Sequence, residues 1–203
     1  RSRTSSSSSP RPVGMSEDNR DQWEALLMVQ RYLEGLPASE LERLRAAVWP
    51  YLEFRSEVAR FQNDFFSEIC SQACFTSCQS ACCNRDGIAT FFADVVINAL
   101  SSSEEDLNHI KTALVNDPGG FKCVYLGPNG CRWRVKPIVC QMFLCEPARA
   151  RVFAQSPEVE AEWRRVAEDI YPKIRGNMVP ADMFDKVQRL LADYRAGKGK
   201  AAK

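Results

Sequence analysis

Nine cysteines fall between residues 70 and 145 of a 203-residue chain, and neither flank contains one. Few features constrain a fold as tightly, because thiols cross-link, pack as small apolar side chains, or bind metal. A disulfide framework belongs to oxidising compartments and exported chains. Residues 1–12 are mostly arginine, serine and proline, without the apolar run that an export signal needs. Metal ligation is therefore the expected use, with roughly one or two of the nine left as ordinary core residues.

The first group is Cys70, Cys74, Cys78, Cys82 and Cys83; the second is Cys123, Cys131, Cys140 and Cys145. Steps of four predict Cys70, Cys74 and Cys78 along one helix face. On an unbroken helix Cys70 and Cys82 would lie about 18 Å apart, too far for one ion. Either the helix breaks before Cys82, or the first group supplies two or three ligands and the second folds back to complete the site. Cys74, Cys78, Cys82 and Cys83 are the expected first-group ligands, with Cys70 the spare.

Apolar periodicity predicts helices on both sides of this region. Trp23, Leu26, Leu27 and Leu33 form one stripe, ended by Gly35. Ser39 with Glu42 has capping-box spacing for a second helix through Leu41, Leu44 and Val48, which Pro50 is expected to kink or restart. Phe54, Val58, Phe61 and Phe65 carry the pattern straight into the first cysteines. A buried helix is predicted over 88–100, and Ser102 with Glu105 should cap the next, through Leu107, Ile110 and Leu114. Residues 121–136 should be irregular or briefly extended, turning at 127–130. Val159, Trp163, Val166 and Ile170 mark a further helix, and Met183, Phe184, Val187, Leu190, Leu191 and Tyr194 the last, stopped near Gly197.

The expected fold is thus mainly α: a single helical domain over residues 17–197 with an irregular, cysteine-rich, metal-binding loop region at 70–145. Residues 1–16 read as a disordered leader or appended sequence, with Met15 the natural start, and 198–203 as a solvated basic tail. Twenty-seven basic and twenty-six acidic residues leave a formal charge of +1, which offers no field for nucleic acid or an anionic membrane. The longest apolar stretch, 91–100, contains Asp94 and Asn98 and falls far short of the roughly 20 residues that span a bilayer. The expectation is a soluble cytoplasmic chain with no nucleic-acid or membrane partner; no protein partner is legible.

In order along the chain, Cys74-x3-Cys78-x3-Cys82-Cys83, the run CVYLGPNGC at 123–131 and the run KPIVCQMFLC at 136–145 resemble the YkgJ-type cysteine-cluster family. That family is described as a zinc- or iron-chelating domain. The resemblance spans roughly a third of the chain, and the order of its motifs is more specific than any one of them. It implies ligation by Cys74, Cys78, Cys82, Cys83, Cys123, Cys131, Cys140 and Cys145. Two departures stand out. The family's first cysteines are usually separated by two residues, and Lys136 stands where the family has arginine, keeping a charge but losing the planar fork. Lys136, with Arg132 and Arg134, either offsets thiolate charge or forms a solvated basic loop.

The chain has no Cys-x2-Cys pair, and its single histidine, His109, lies on a predicted helix outside the cluster. Both facts disfavour a zinc finger, whereas all-cysteine ligation suits an iron-sulfur cluster or a zinc ion. The expected function is therefore metal binding in a redox or structural role. Two alternatives remain open. The resemblance extends to the cysteine-rich flagellin lysine methylases, which implies a metal-dependent protein-modifying enzyme; yet Gly119 and Gly120 read as a turn, and no nucleotide loop or catalytic residue is identified. The other is an interaction module docking a partner through the stripes at 23–33 and 183–194.

Overall fold

The computed structural model describes residues 15–87 and 90–175; the expected leader up to residue 14, the expected last helix and the basic tail lie outside the described residues. The described chain is mainly helical. Ser16 accepts a hydrogen bond from the Asn19 N–H and opens α1 (Glu17–Glu34), which Gly35 closes. Trp23, Leu26, Val29 and Leu33 are buried on α1, which packs against α3 (Phe92–Ser101) and α4 (Glu104–Val115).

Helix α2 (Ala38–Ser67) starts after Pro37 and not at Ser39. It also runs through Pro50 without interruption, where a kink or restart was expected. An internal proline costs about 3 kcal/mol. Leu44, Val48, Tyr51, Phe54 and Val58 are all buried on either side of it, and each contributes about 1.5–3 kcal/mol. Packing therefore outweighs the lost backbone bond.

The helix expected over 88–100 begins at Phe92, because the Asp94 carboxylate accepts the Phe91 N–H at 2.9 Å and sets the first turn there. Residues 88 and 89 lie outside the described residues. Ser103, not Ser102, caps α4: its hydroxyl accepts the Asp106 N–H at 3.1 Å while Asp106 accepts the Ser103 N–H at 3.1 Å. The box is one residue later than the sequence pattern placed it, and the physics is the same.

Beyond α4, a small antiparallel hairpin joins β1 (Leu126–Gly127) to β2 (Gly130–Cys131), with Leu126 opposite Cys131. Gly130 has φ +104°, a left-handed value that favours glycine. The short helix α5 (Ile138–Met142) and then α6 (Glu146–Gln155) follow, neither marked by the apolar pattern. The helix expected from Val159 is α7 (Pro157–Arg175). It packs with α6, and both rest on α2. At that junction Phe61 stacks on Trp163 at 5.6 Å and Phe66 meets Phe153 edge-on at 5.8 Å. No described helix is long and apolar enough to cross a membrane.

Two contacts make this packing testable. Phe66 is 1% exposed at the meeting point of α2, α6 and α7; Phe66→Ala should lower the unfolding free energy by about 3–5 kcal/mol in urea titration. Asp117 accepts from both terminal guanidinium nitrogens of Arg85, at 2.8 and 2.9 Å, and from the Asn19 amide at 2.7 Å. These bonds, the Arg85 pair foremost, pull its carboxyl from 3.8 down to about 2. A depressed folded-state pKa stabilises above the unfolded value and is lost as pH falls through the folded one. Stability should therefore decline between about pH 4 and pH 2, and Asp117→Asn should flatten that part of the curve measured by thermal melts.

Candidate metal centre

The cysteines reach one another because α2 does not end as an α-helix. Its last turns widen into a π-helical segment, Glu68–Phe75, which carries Cys70 and Cys74. The chain then unwinds, with Cys78 at φ +59° and Ser80 at φ +38°. Left-handed backbone at non-glycine residues costs on the order of 1–3 kcal/mol each. The helix thus breaks before Cys82, the first of the two alternatives that the spacing left open, and Cys78 follows the break rather than continuing the helix with Cys70 and Cys74. Cys78 is exposed, and its thiol donates to the Thr76 carbonyl at 4.0 Å.

After the break, residues 83–85 run antiparallel to 121–123. The Cys123 N–H donates to the Cys83 carbonyl at 3.1 Å, and the Arg85 N–H to the Phe121 carbonyl at 2.8 Å. Cys83 is thereby placed beside Cys123, and the hairpin returns Cys131 to the same region. Tyr125 and Trp133, edge to face at 5.2 Å, form the buried side of the hairpin.

Buried polar side chains that the sequence reading did not assign to the site fix the segment with Lys136 and Cys140. Arg55 of α2 is 3% exposed. Its Nε donates to Gln141 Oε1 at 2.6 Å, one terminal nitrogen to the Tyr51 hydroxyl at 2.6 Å, and the other to the Lys136 carbonyl. From α3, Asn98 takes both backbone groups of Val135, at 2.9 and 3.0 Å, and Asp94 accepts the Ile138 N–H at 3.2 Å. Burial pushes the Asp94 carboxyl up, while its backbone bonds and the Arg55 charge favour the ionised form.

All nine cysteines are thiols, and none is fully buried; Cys70, Cys123, Cys131 and Cys145 pack against the edge of the hydrophobic core. Burial raises the Cys70 thiol, and the neighbouring thiols of Cys145, Cys82 and Cys74 raise it further. Burial likewise raises Cys123, with Cys140 adding, and takes Cys131 up to about 11, with Cys123 and Cys140 adding. A hydrogen bond joins Cys82 to Cys83; it pulls Cys82 down, helped by the Lys136 and Lys122 ammonium groups, and pushes Cys83 up, as do Cys123 and Cys131.

Cys70 feels the charges of Cys74, Cys82 and Cys145, Cys131 those of Cys123 and Cys140, and Cys83 those of Cys82, Cys123 and Cys131. Of the eight expected ligands, Cys74, Cys82, Cys83, Cys123, Cys131, Cys140 and Cys145 take part in this mutual electrostatic influence, as does Cys70, the expected spare. Backbone N–H groups are aimed at several of the sulfurs: Ala81 at Cys74, 3.4 Å away, Tyr125 and Leu126 at Cys123, and Trp133 at Cys131. Such donors favour thiolate over thiol.

Sulfur donors are of the kind that a thiophilic metal takes. Among the described residues, no group of three or more His, Cys, Asp or Glu side chains is placed to hold a metal ion. His109 is exposed on α4. The stripe at 23–33, an expected docking face, is buried in the core at Trp23, Leu26, Val29 and Leu33, which removes the motive for using it as an interface.

Comparison of the chain with protein-family models, with curated proteins and with solved structures gives no match.

Thiol reactivity follows from the electrostatics, because thiolate is the nucleophile. In metal-free protein at pH 7, Cys82, exposed and pulled down, should be alkylated by iodoacetamide well before Cys83 and Cys131, as read by peptide mass spectrometry.

Proposed function

We propose that the protein is a cysteine-cluster metal-binding protein, holding an iron-sulfur cluster or zinc through all-cysteine ligation in a redox or structural role. The observation that carries this reading is a run of free thiols, none fully buried, that influence one another's ionisation, with backbone N–H groups directed at several sulfurs. The resemblance of the cysteine runs to the YkgJ-type family points the same way.

The energetics support a bound cation. Burial and neighbouring thiols push Cys70, Cys83, Cys123 and Cys131 up, so ionising them together needs an opposing charge. A thiophilic cation supplies that charge, and a structural ion contributes on the order of 10 kcal/mol to folding. That exceeds the cost of the left-handed turn at Cys78 and Ser80. Cys70, Cys74, Cys82 and Cys145 would supply one ligand set, and Cys83, Cys123, Cys131 and Cys140 the other. Lys136 and Lys122 temper the net negative charge.

Protein purified without oxygen is expected to contain metal, either iron with matching acid-labile sulfide or zinc without sulfide. Cys70→Ser and Cys131→Ser should each lower the metal content, while Cys78→Ser should leave it near the wild-type value. Preparations free of both metals, unable to take up either from solution under reducing conditions, would overturn the reading.

A further inference from the structure

A groove of about 620 Å³ runs between the outward side of α2 and the 134–144 segment. Its volume lies within the range of small-molecule sites. Trp49 and Phe143, 59% and 55% exposed, offer two aromatic faces from separate elements. Arg134 and Lys136 are exposed on the opposite wall, and Arg55 lies buried in its floor. No aspartate or glutamate lines the groove among the described residues. In a chain with nearly equal acidic and basic totals, a cleft with three cationic linings and no acidic one is a marked departure.

The three cations are not equivalent. Arg55 spends its donors on Gln141, Tyr51 and the Lys136 carbonyl, so it supplies positive potential rather than a direct contact. Arg134 donates one terminal nitrogen to the Ser101 carbonyl at 2.6 Å, which fixes the guanidinium at the groove. Asp106, whose carboxyl feels the Arg134 charge, is engaged in capping α4 and is not among the lining residues. Lys136 also faces Cys70, Cys82 and Cys131 electrostatically.

From this we infer that the groove binds a small organic anion: a flat apolar body against Trp49 and Phe143, and a carboxylate, sulfonate or phosphate head on Arg134 and Lys136. Aromatic faces take up the apolar body, and charge-assisted hydrogen bonds orient the head. Cys70, Cys82 and Cys140 line the same groove, so the ligand adjoins the thiol cluster. The inference stands apart from the metal reading, because neither Trp49 nor Arg134 is a proposed metal ligand.

The test uses 8-anilinonaphthalene-1-sulfonate with the full chain, followed by dye fluorescence, and the uncharged N-phenyl-1-naphthylamine as its control. Saturable binding of one anionic dye per chain is expected, with much weaker binding of the neutral dye. Arg134→Gln and Trp49→Ala should each weaken the anionic dye about tenfold, the effect of losing one strong contact. Both side chains are exposed, so neither change should unfold the chain. Absent binding, equal affinity for the two dyes, or unchanged affinity in the double variant would overturn the inference. Metal content measured on the same variants keeps the two readings separate: it should match wild type whether or not the dye binds.

Discussion

Arg55 is a guanidinium held at 3% exposure inside a helical core, and such a charge is tolerated only if its donors are met. The chain meets them with Tyr51 from its own helix, with Gln141, and with the Lys136 carbonyl. Two of those partners lie more than 80 residues further along the chain. Gln141 in turn donates to the Arg55 carbonyl at 3.1 Å and accepts the Gln62 amide at its own carbonyl. Leaving a donor of a buried group unsatisfied costs about 1–3 kcal/mol, and more for a charge, so these bonds hold α2 and the 136–141 segment together. Asp94 and Asn98 tie that pairing to α3. Cys140, Lys136 and one wall of the groove owe their positions to this polar spine.

The cysteines impose the opposite demand. Partial burial and mutual proximity make four of them reluctant to ionise, while backbone donors and two lysines favour thiolate at specific sulfurs. The backbone is bent to gather them, through a π-helical segment and two left-handed residues. π-Helical insertions and positive φ at non-glycine residues concentrate at functional sites, where surrounding structure sustains their cost.

Most of the helical frame was legible in the sequence because it rests on apolar periodicity, and α1, α4 and α7 follow their stripes closely. The restart that Pro50 suggested does not occur, because a proline rule is local, whereas the burial that carries α2 through it is tertiary. Among the cysteines, spacing by four treats Cys70, Cys74 and Cys78 as equivalent. A left-handed φ at Cys78 breaks that equivalence, and no residue nearby announces it as a glycine would. Arg55 and Gln141 carry no motif. Asp94 and Asn98 did leave a signal: two polar residues four apart in an otherwise apolar helix, a spacing that places them on one face.

The proposed ligation of metal by two sets of thiols is most directly tested by X-ray absorption at the metal edge of protein prepared without oxygen. All-cysteine ligation predicts a first shell made of sulfur alone, near 2.3 Å for zinc, with added iron-iron scattering if a cluster is present. The shell should lose sulfur in Cys70→Ser and keep it in Cys78→Ser. A shell dominated by nitrogen or oxygen, or one that loses sulfur in Cys78→Ser and not in Cys70→Ser, would contradict the account.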